Sequence, residues 1–213
     1  MYEKIKSLAK QYYPETVAIR RDLHKYPEQG WLEMRTASLV AKKLEKLGYQ
    51  VLIGKEIMCE EYRMGVPDQE ILESNYQRAI SQGADPYYIK KVKDGFTAVA
   101  GILKNGSGPV VAIRFDMDAL CIEEDDSINH NPGKFGFISC NQGTMHACGH
   151  DGHVAIGLTV AKILSNIKDS IQGTIKLIFQ PAEEGVRGAK SICKSGILKD
   201  VDYIFAGHIW QQE

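Results

Sequence analysis

Between residues 96 and 206 the chain alternates short apolar runs with helix-like stretches, and that alternation narrows the possible folds more than any other feature. Phe96 to Leu103, Val110 to Phe115, Thr174 to Phe179 and Tyr203 to Ala206 are strand-length runs of aliphatic and aromatic residues. Residues 152 to 167, with Val154, Ile156, Leu158, Val160, Ile163 and Leu164, read as a buried helix, and residues 186 to 195 as a second. Strands alternating with helices are accommodated by a mainly parallel sheet flanked by helices, the α/β class. Asn105-Gly106-Ser107-Gly108 joins the first two strands and carries a hairpin signal, because Asn and Gly tolerate the positive φ of a tight turn.

Upstream, Ile5, Leu8, Ala9, Tyr12 and Tyr13 predict an amphipathic helix that continues or restarts after Pro14. Leu39, Val40, Leu44 and Leu47 form the apolar stripe of a helix over 34–47, with Gly48 placed for a left-handed cap. Tyr49 to Ile53 reads as a short strand, and the polar stretch of about 55–93, helical around Glu70 to Ser81, as an inserted excursion. A long polar loop covers 121–144.

Composition removes whole classes of function. With 26 basic and 27 acidic residues the net charge is -1, so the basic excess that nucleic acid binding requires is missing. Apolar stretches are far shorter than the ~20 residues of a spanning helix, so no membrane role is expected. The opening Met1-Tyr2-Glu3-Lys4-Ile5-Lys6 has no apolar run behind it, and the five cysteines are odd in number and scattered. Both fit reduced thiols in a cytoplasmic protein.

In open α/β sheets ligands gather at the carboxyl ends of the strands. There the chain places Asp116-Met117-Asp118, Gln180-Pro181-Ala182-Glu183-Glu184 and Gly207-His208, while Met145 to His153 (MHACGHDGH) precedes the buried helix. Singly, Cys148 reads as a buried thiol and His150 as a hydrogen-bonded imidazole. Together, a thiolate, imidazoles and carboxylates are the ligand set of Zn, Mn, Co or Ni. Adjacent Glu183 and Glu184 point in different directions, so one can bind a metal while the other handles protons. Asp116 and Asp118 can cap a helix or orient a ligand histidine, and Arg114 can neutralise neighbouring carboxylates.

Arg114 to Leu120 (RFDMDAL), Met145 to His153, Gln180 to Gly185 (QPAEEG), Gly207 to Trp210 (GHIW) and Arg20 to Trp31 (RRDLHKYPEQGW) resemble the amidohydrolase branch of the M20 metallopeptidases over essentially the whole chain. Within it, Arg63 to Asp68 and Gly136 to Asn141 are similar to members that hydrolyse p-aminobenzoyl-glutamate. Hippurate, indoleacetyl-amino-acid and N-acetyl-diaminopimelate hydrolases are the alternatives. The resemblance implies a zinc-peptidase-like catalytic domain holding two divalent metals, Mn ahead of Zn, Co or Ni. In it Cys148 bridges the metals, His150 and His208 ligate one, Glu184 ligates the other, Glu183 is general base and acid, and Asp116 is the orienting aspartate. Arg114 stands where other branches carry a ligand histidine, whose part His150 takes. The implied substrates are N-acyl or N-aroyl amino acids.

Family members are roughly twice as long. The resemblance therefore makes residues 1–213 the N-terminal part of the catalytic domain, lacking the lid or dimerisation domain and the C-terminal part with the last ligand histidine. The full-length form is expected to be dimeric, and a further expected partner is a related B subunit. Two rivals stand beside this reading: a cysteine amidase with Cys148 as nucleophile and a nearby histidine as base, and a catalytically silent polypeptide that binds metal weakly or assists assembly.

Overall fold

A computed structural model describes residues 1–127 and 129–210. Helix α1 (Tyr2–Lys25) runs uninterrupted through Pro14, and α2 (Met34–Lys46) follows. The end of α2 is set by Gly48 at φ 83°, which lets the Tyr49 amide bond the Leu44 carbonyl and the Gly48 amide bond that of Glu45. This is the Schellman closure expected of glycine after a helix. Strand β1 (Gln50–Ile53) leads into a region of one α-helix, α3 (Gln69–Ser81), and four short 3-10 turns. Strands β2 (Val99–Asn105) and β3 (Val110–Asp116) come next, then a one-turn helix α4 (Asn131–Lys134) inside the polar loop, of which residue 128 lies outside the described residues. Helix α5 (His150–Asn166), strand β4 (Gly173–Gln180), helix α6 (Ala189–Ser195) and strand β5 (Tyr203–Ala206) complete the order.

The five strands form one sheet in the order β1-β2-β4-β3-β5. The expected α/β class stands, with parallel pairing confined to β4-β3-β5 and antiparallel pairing in β1-β2-β4. The hairpin expected of Asn105 to Gly108 does not form. The turn reverses the chain, but β4 lies between β2 and β3 and bonds to both. Burial explains the exchange: all but one residue of β4 is buried, and a strand buried on both faces gains most at the centre of a sheet. Residues 106–109 then span two inter-strand spacings, about 10 Å.

The pleat divides the core. On one face Leu177, Phe179, Val99 and Phe115 pack with Val40, Leu44, Val154 and Leu158 of α2 and α5. On the other, Ala98, Ala100 and Ile178 pack with Trp31, Ile57, Phe96, Ala182 and Ile192. Helix α5 lies close on the sheet because residue 157 is glycine. A Cβ there would stand 2.8 Å from the Phe115 ring and 2.9 Å from that of Phe179. Helix α6 starts three residues later than its sequence pattern indicates, since Ala182, Gly185 and Val186 all take positive φ and hold 181–188 as a tight loop. Strand β5 is exposed along its length on the sheet edge. Among the described residues no helix is long and apolar enough to cross a membrane, and all five cysteines are free thiols.

Candidate metal centre

Because β3, β4 and β5 are parallel, their carboxyl ends open at one rim of the sheet, and α5 starts at that rim. Its first residue is His150, held in place by Gly149 in the left-handed conformation at the N-cap. Cys148 and His150 therefore lie on either side of the glycine bend: one precedes it and the other begins the helix. His150 is fully buried, and its Nδ1–H donates to the Asp118 carbonyl at 2.8 Å. That bond fixes the tautomer and leaves Nε2 with a lone pair and no hydrogen-bond partner among the described residues. Around Nε2 lie Asp116 Oδ1 at 3.7 Å, Glu183 Oε2 at 3.8 Å and Glu184 Oε1 at 3.9 Å. Glu184 Oε1 is likewise buried and unpartnered.

Cys148 Sγ lies 3.4 Å from His208 Nε2, and His208 Nδ1–H donates to the Ile209 carbonyl at 2.6 Å. Three groups of potential ligand atoms result, each within 4.8 Å: Cys148, His150 and His208; His150, Glu183 and Glu184; and Asp116, His150 and His153. All six residues singled out in the sequence thus meet around one imidazole.

The third group differs from the others. His153 Nδ1–H donates to Asp116 in a very short hydrogen bond, and its Nε2 accepts the Ile209 amide at 2.8 Å. With both nitrogens engaged, His153 ties Gly207 to Trp210 onto α5 and has no lone pair free for a metal. It stands at i+3 from His150, and that helical spacing within MHACGHDGH was the signal available for it in the sequence. A second difference concerns orientation: Asp118 aligns His150, its main-chain carbonyl at 2.8 Å and its carboxylate Oδ1 at 3.3 Å from Nδ1. The other oxygen of the Asp118 carboxylate accepts the Glu184 amide at 2.9 Å.

The electrostatics favour a cation. Burial alone would lower His150, but the Asp118 hydrogen bond and the charges of Asp116, Asp118 and Glu184 outweigh it and raise the pKa. Burial would raise Asp116, yet the His153 hydrogen bond, His150 and Arg114 hold it below the usual range, with Arg114 Nη1 at 2.5 Å from Oδ2. The Cys148 thiol is pushed up to about 11 by burial first and then by Glu184, Glu183 and Asp116. A dication among these groups would satisfy the orphaned Nε2 and Oε1, each costing about 1–3 kcal/mol unpaired, and reverse the field on the thiol. The residues present fit a divalent metal.

The chain is similar to known proteins over nearly its whole length. The sequence profile described as peptidase family M20/M25/M40 matches residues 112–213. One of the p-aminobenzoyl-glutamate hydrolase subunits of Escherichia coli (strain K12) is 47% identical over 97% of this chain and 48% of its own length. The crystal structure of an aminobenzoyl-glutamate utilization protein from Klebsiella pneumoniae superposes with TM-score 0.83 at 40% identity, covering 98% of this chain and 46% of that one. A Bacillus subtilis protein described as a dinuclear metal-binding peptidase of family M20 gives TM-score 0.69 at 30% identity, over 94% of this chain and 44% of its own. The chain spans about half the length of these relatives. Over that half, the chain belongs to the M20 peptidase family.

Proposed function

We propose that these residues carry most of the metal centre of an amidohydrolase that cleaves N-acyl or N-aroyl amino acids, p-aminobenzoyl-glutamate foremost. One observation carries the reading: a buried imidazole nitrogen with no partner faces both carboxylates of Glu183 and Glu184 at under 4 Å. Cys148, His150, His208 and Glu184 would hold two divalent ions, Mn ahead of Zn. When bound, the metals supply Lewis-acid polarisation of the scissile carbonyl and a more acidic water.

Glu183 is the more exposed of the two acids, at 36% against 24% for Glu184, as a group that meets substrate and water should be. Its carboxylate takes a proton from the attacking water while the oxygen adds to the amide carbon. The same proton then passes to the amide nitrogen, so that the C–N bond breaks and a neutral amine leaves. Asp116, paired with Arg114 and His153, keeps its charge and fixes the floor beneath His150. A cysteine nucleophile is disfavoured, because a thiol pushed up to about 11 is protonated at neutral pH.

Residues 1–213 form the N-terminal part of a catalytic domain, 55–93 is a helical insert, and a lid or dimerisation domain and the last ligand lie outside. The Escherichia coli relative is named for one subunit of its hydrolase, which supports a different, related subunit in the role of partner, and the cytoplasm is the proposed location. The test is metal analysis of the purified protein, followed by release of p-aminobenzoate from p-aminobenzoyl-glutamate with Mn2+, Zn2+ or a chelator. Turnover that appears with Mn2+ and vanishes with chelator supports the reading. Turnover that survives chelation favours the cysteine amidase, and neither metal nor turnover favours the silent polypeptide.

A further inference from the structure

Behind the metal-facing acids lies a second layer of buried carboxylates that the reaction does not touch. Glu33, at the start of α2, is fully buried. Its Oε1 accepts the amide of Ala182 at 2.7 Å and its Oε2 accepts the Thr97 hydroxyl at 2.6 Å. Ala182 is itself fully buried and stands at φ 48°, a left-handed conformation that an L-residue other than glycine, asparagine or aspartate adopts only under constraint. It precedes Glu183 directly, and its carbonyl accepts the amides of Arg187 and Gly188, at 3.2 and 2.8 Å, so the whole 182–188 loop turns about this residue. Two residues on, Asp118 holds the Glu184 amide. The loop bearing both acids is thus gripped from below by two carboxylates, one from β3's rim and one from α2.

We propose that Glu33 is a positioning residue for the metal centre: by holding the Ala182 amide it keeps the 182–188 loop left-handed and aims Glu183 and Glu184 at His150. This rests on the function proposed above. The grip is not a generic helix cap, because the Glu33 side chain turns away from α2 and its neighbour Glu28 does that work, accepting the Arg35 and Thr36 amides at 2.9 and 2.8 Å. Burial and the nearby Asp118 carboxylate both push Glu33 upward, an electrostatic cost a merely structural site would avoid with a neutral acceptor. Glu33 is 149 positions from Ala182, so only the fold connects them.

The experiment compares Glu33→Ala, Glu33→Gln and Thr97→Val with the unaltered chain by calorimetric Mn2+ titration and by hydrogen exchange of segment 181–188 in metal-free protein. Outer partners that orient metal ligands change affinity by about 10- to 100-fold. Glu33→Ala should lower Mn2+ affinity by about that factor and speed exchange in 181–188, while Glu33→Gln, which keeps an oxygen for the Ala182 amide, should recover most of both. Adding Ala182→Gly to Glu33→Ala should restore part of the affinity, since glycine adopts positive φ without a clamp. Affinity and exchange unchanged in Glu33→Ala, or lost equally in Glu33→Gln, overturns the proposal. Should Glu33→Ala fail to fold, Thr97→Val decides: a smaller loss in the same direction supports it, and no change in either readout overturns it. An unaltered chain that binds no Mn2+ and hydrolyses nothing defeats the proposed function alone, and the exchange data still decide the clamp.

Discussion

His24 and His150 are both buried among carboxylates at the same end of α5, yet they differ in one respect that separates scaffold from site. His24 Nδ1 bonds Asp151 at 2.7 Å and its Nε2 bonds Glu124 at 2.8 Å. With a carboxylate on each nitrogen, the surroundings favour its protonated form and raise its pKa. The acids are saturated too: Asp151 also takes Arg20 and the Gly152 amide, and Glu124 also takes His130 and the Ser139 amide. His150 gives one proton to a carbonyl and offers its other nitrogen to nothing. A closed cluster has no capacity for a ligand, whereas an open one of the same residue types stays under-satisfied until a ligand arrives.

The sharpest way to break the comparison is to change one member of each cluster and measure both stability and turnover. Glu183→Gln should cut kcat by on the order of 10²–10⁴-fold, the span of a general acid–base group, with thermal stability nearly unchanged. A large loss of stability would move Glu183 into the scaffold class. His24→Leu should do the reverse, costing about 3–5 kcal/mol in urea unfolding, because Asp151 and Glu124 are left buried beside an apolar group. The low end of that range is expected, since each acid keeps other donors.

The pH dependence separates the two clusters further. Burial opposes the charge on His24, but Asp151 and Glu124 win and raise its pKa. Burial likewise opposes Glu124 and Asp151, but hydrogen bonds from the Ser139 amide and His24 lower the first, and that from His24 with nearby charge lowers the second. The His24 contribution is therefore complete below its unfolded value of about 6.5 and disappears as pH rises through the raised folded value. The carboxylate contribution is complete above about 4 and disappears as pH falls through the depressed values. Stability from this cluster should peak between those limits and fall on both sides, and unfolding of His24→Leu followed from pH 4 to 9 should show a flatter profile.

The membership of the open cluster was legible in the sequence and that of the closed one was not. Cys148, His150, Glu183, Glu184 and His208 sit at strand ends or in one dense motif, so a rule about strand ends gathers them without coordinates. His24 and Asp151 lie 127 positions apart, and nothing local in either marks the pairing. The same holds for Glu33. In the fold, helices announced themselves through periodicity and the Gly48 cap, because those signals are local. Strand order was hidden, since whether β4 enters between β2 and β3 depends on which strand buries most surface, a property of the assembled sheet. Residues 186–188, read as the start of a helix, belong instead to the 182–188 loop, whose Ala182 and Glu184 amides are held by Glu33 and Asp118 from elsewhere.

The smallest effect is expected at the outer end of the closed cluster. His130 reaches Glu124 Oε1 at 2.9 Å but its side chain is 28% exposed, so water can replace what a substitution removes. Glu124 would keep His24 and the Ser139 amide, leaving no orphaned acid. His130→Ala should thus cost about 0.5–1.5 kcal/mol, the net worth of one hydrogen bond, measured by urea unfolding. The gradient from His24 to His130 is the signature of a saturated network, in which each loss is shared among remaining partners. A cost at His130 as large as that at His24 would mean Glu124 depends on both histidines equally, and the closed cluster would then be no better satisfied than the open one.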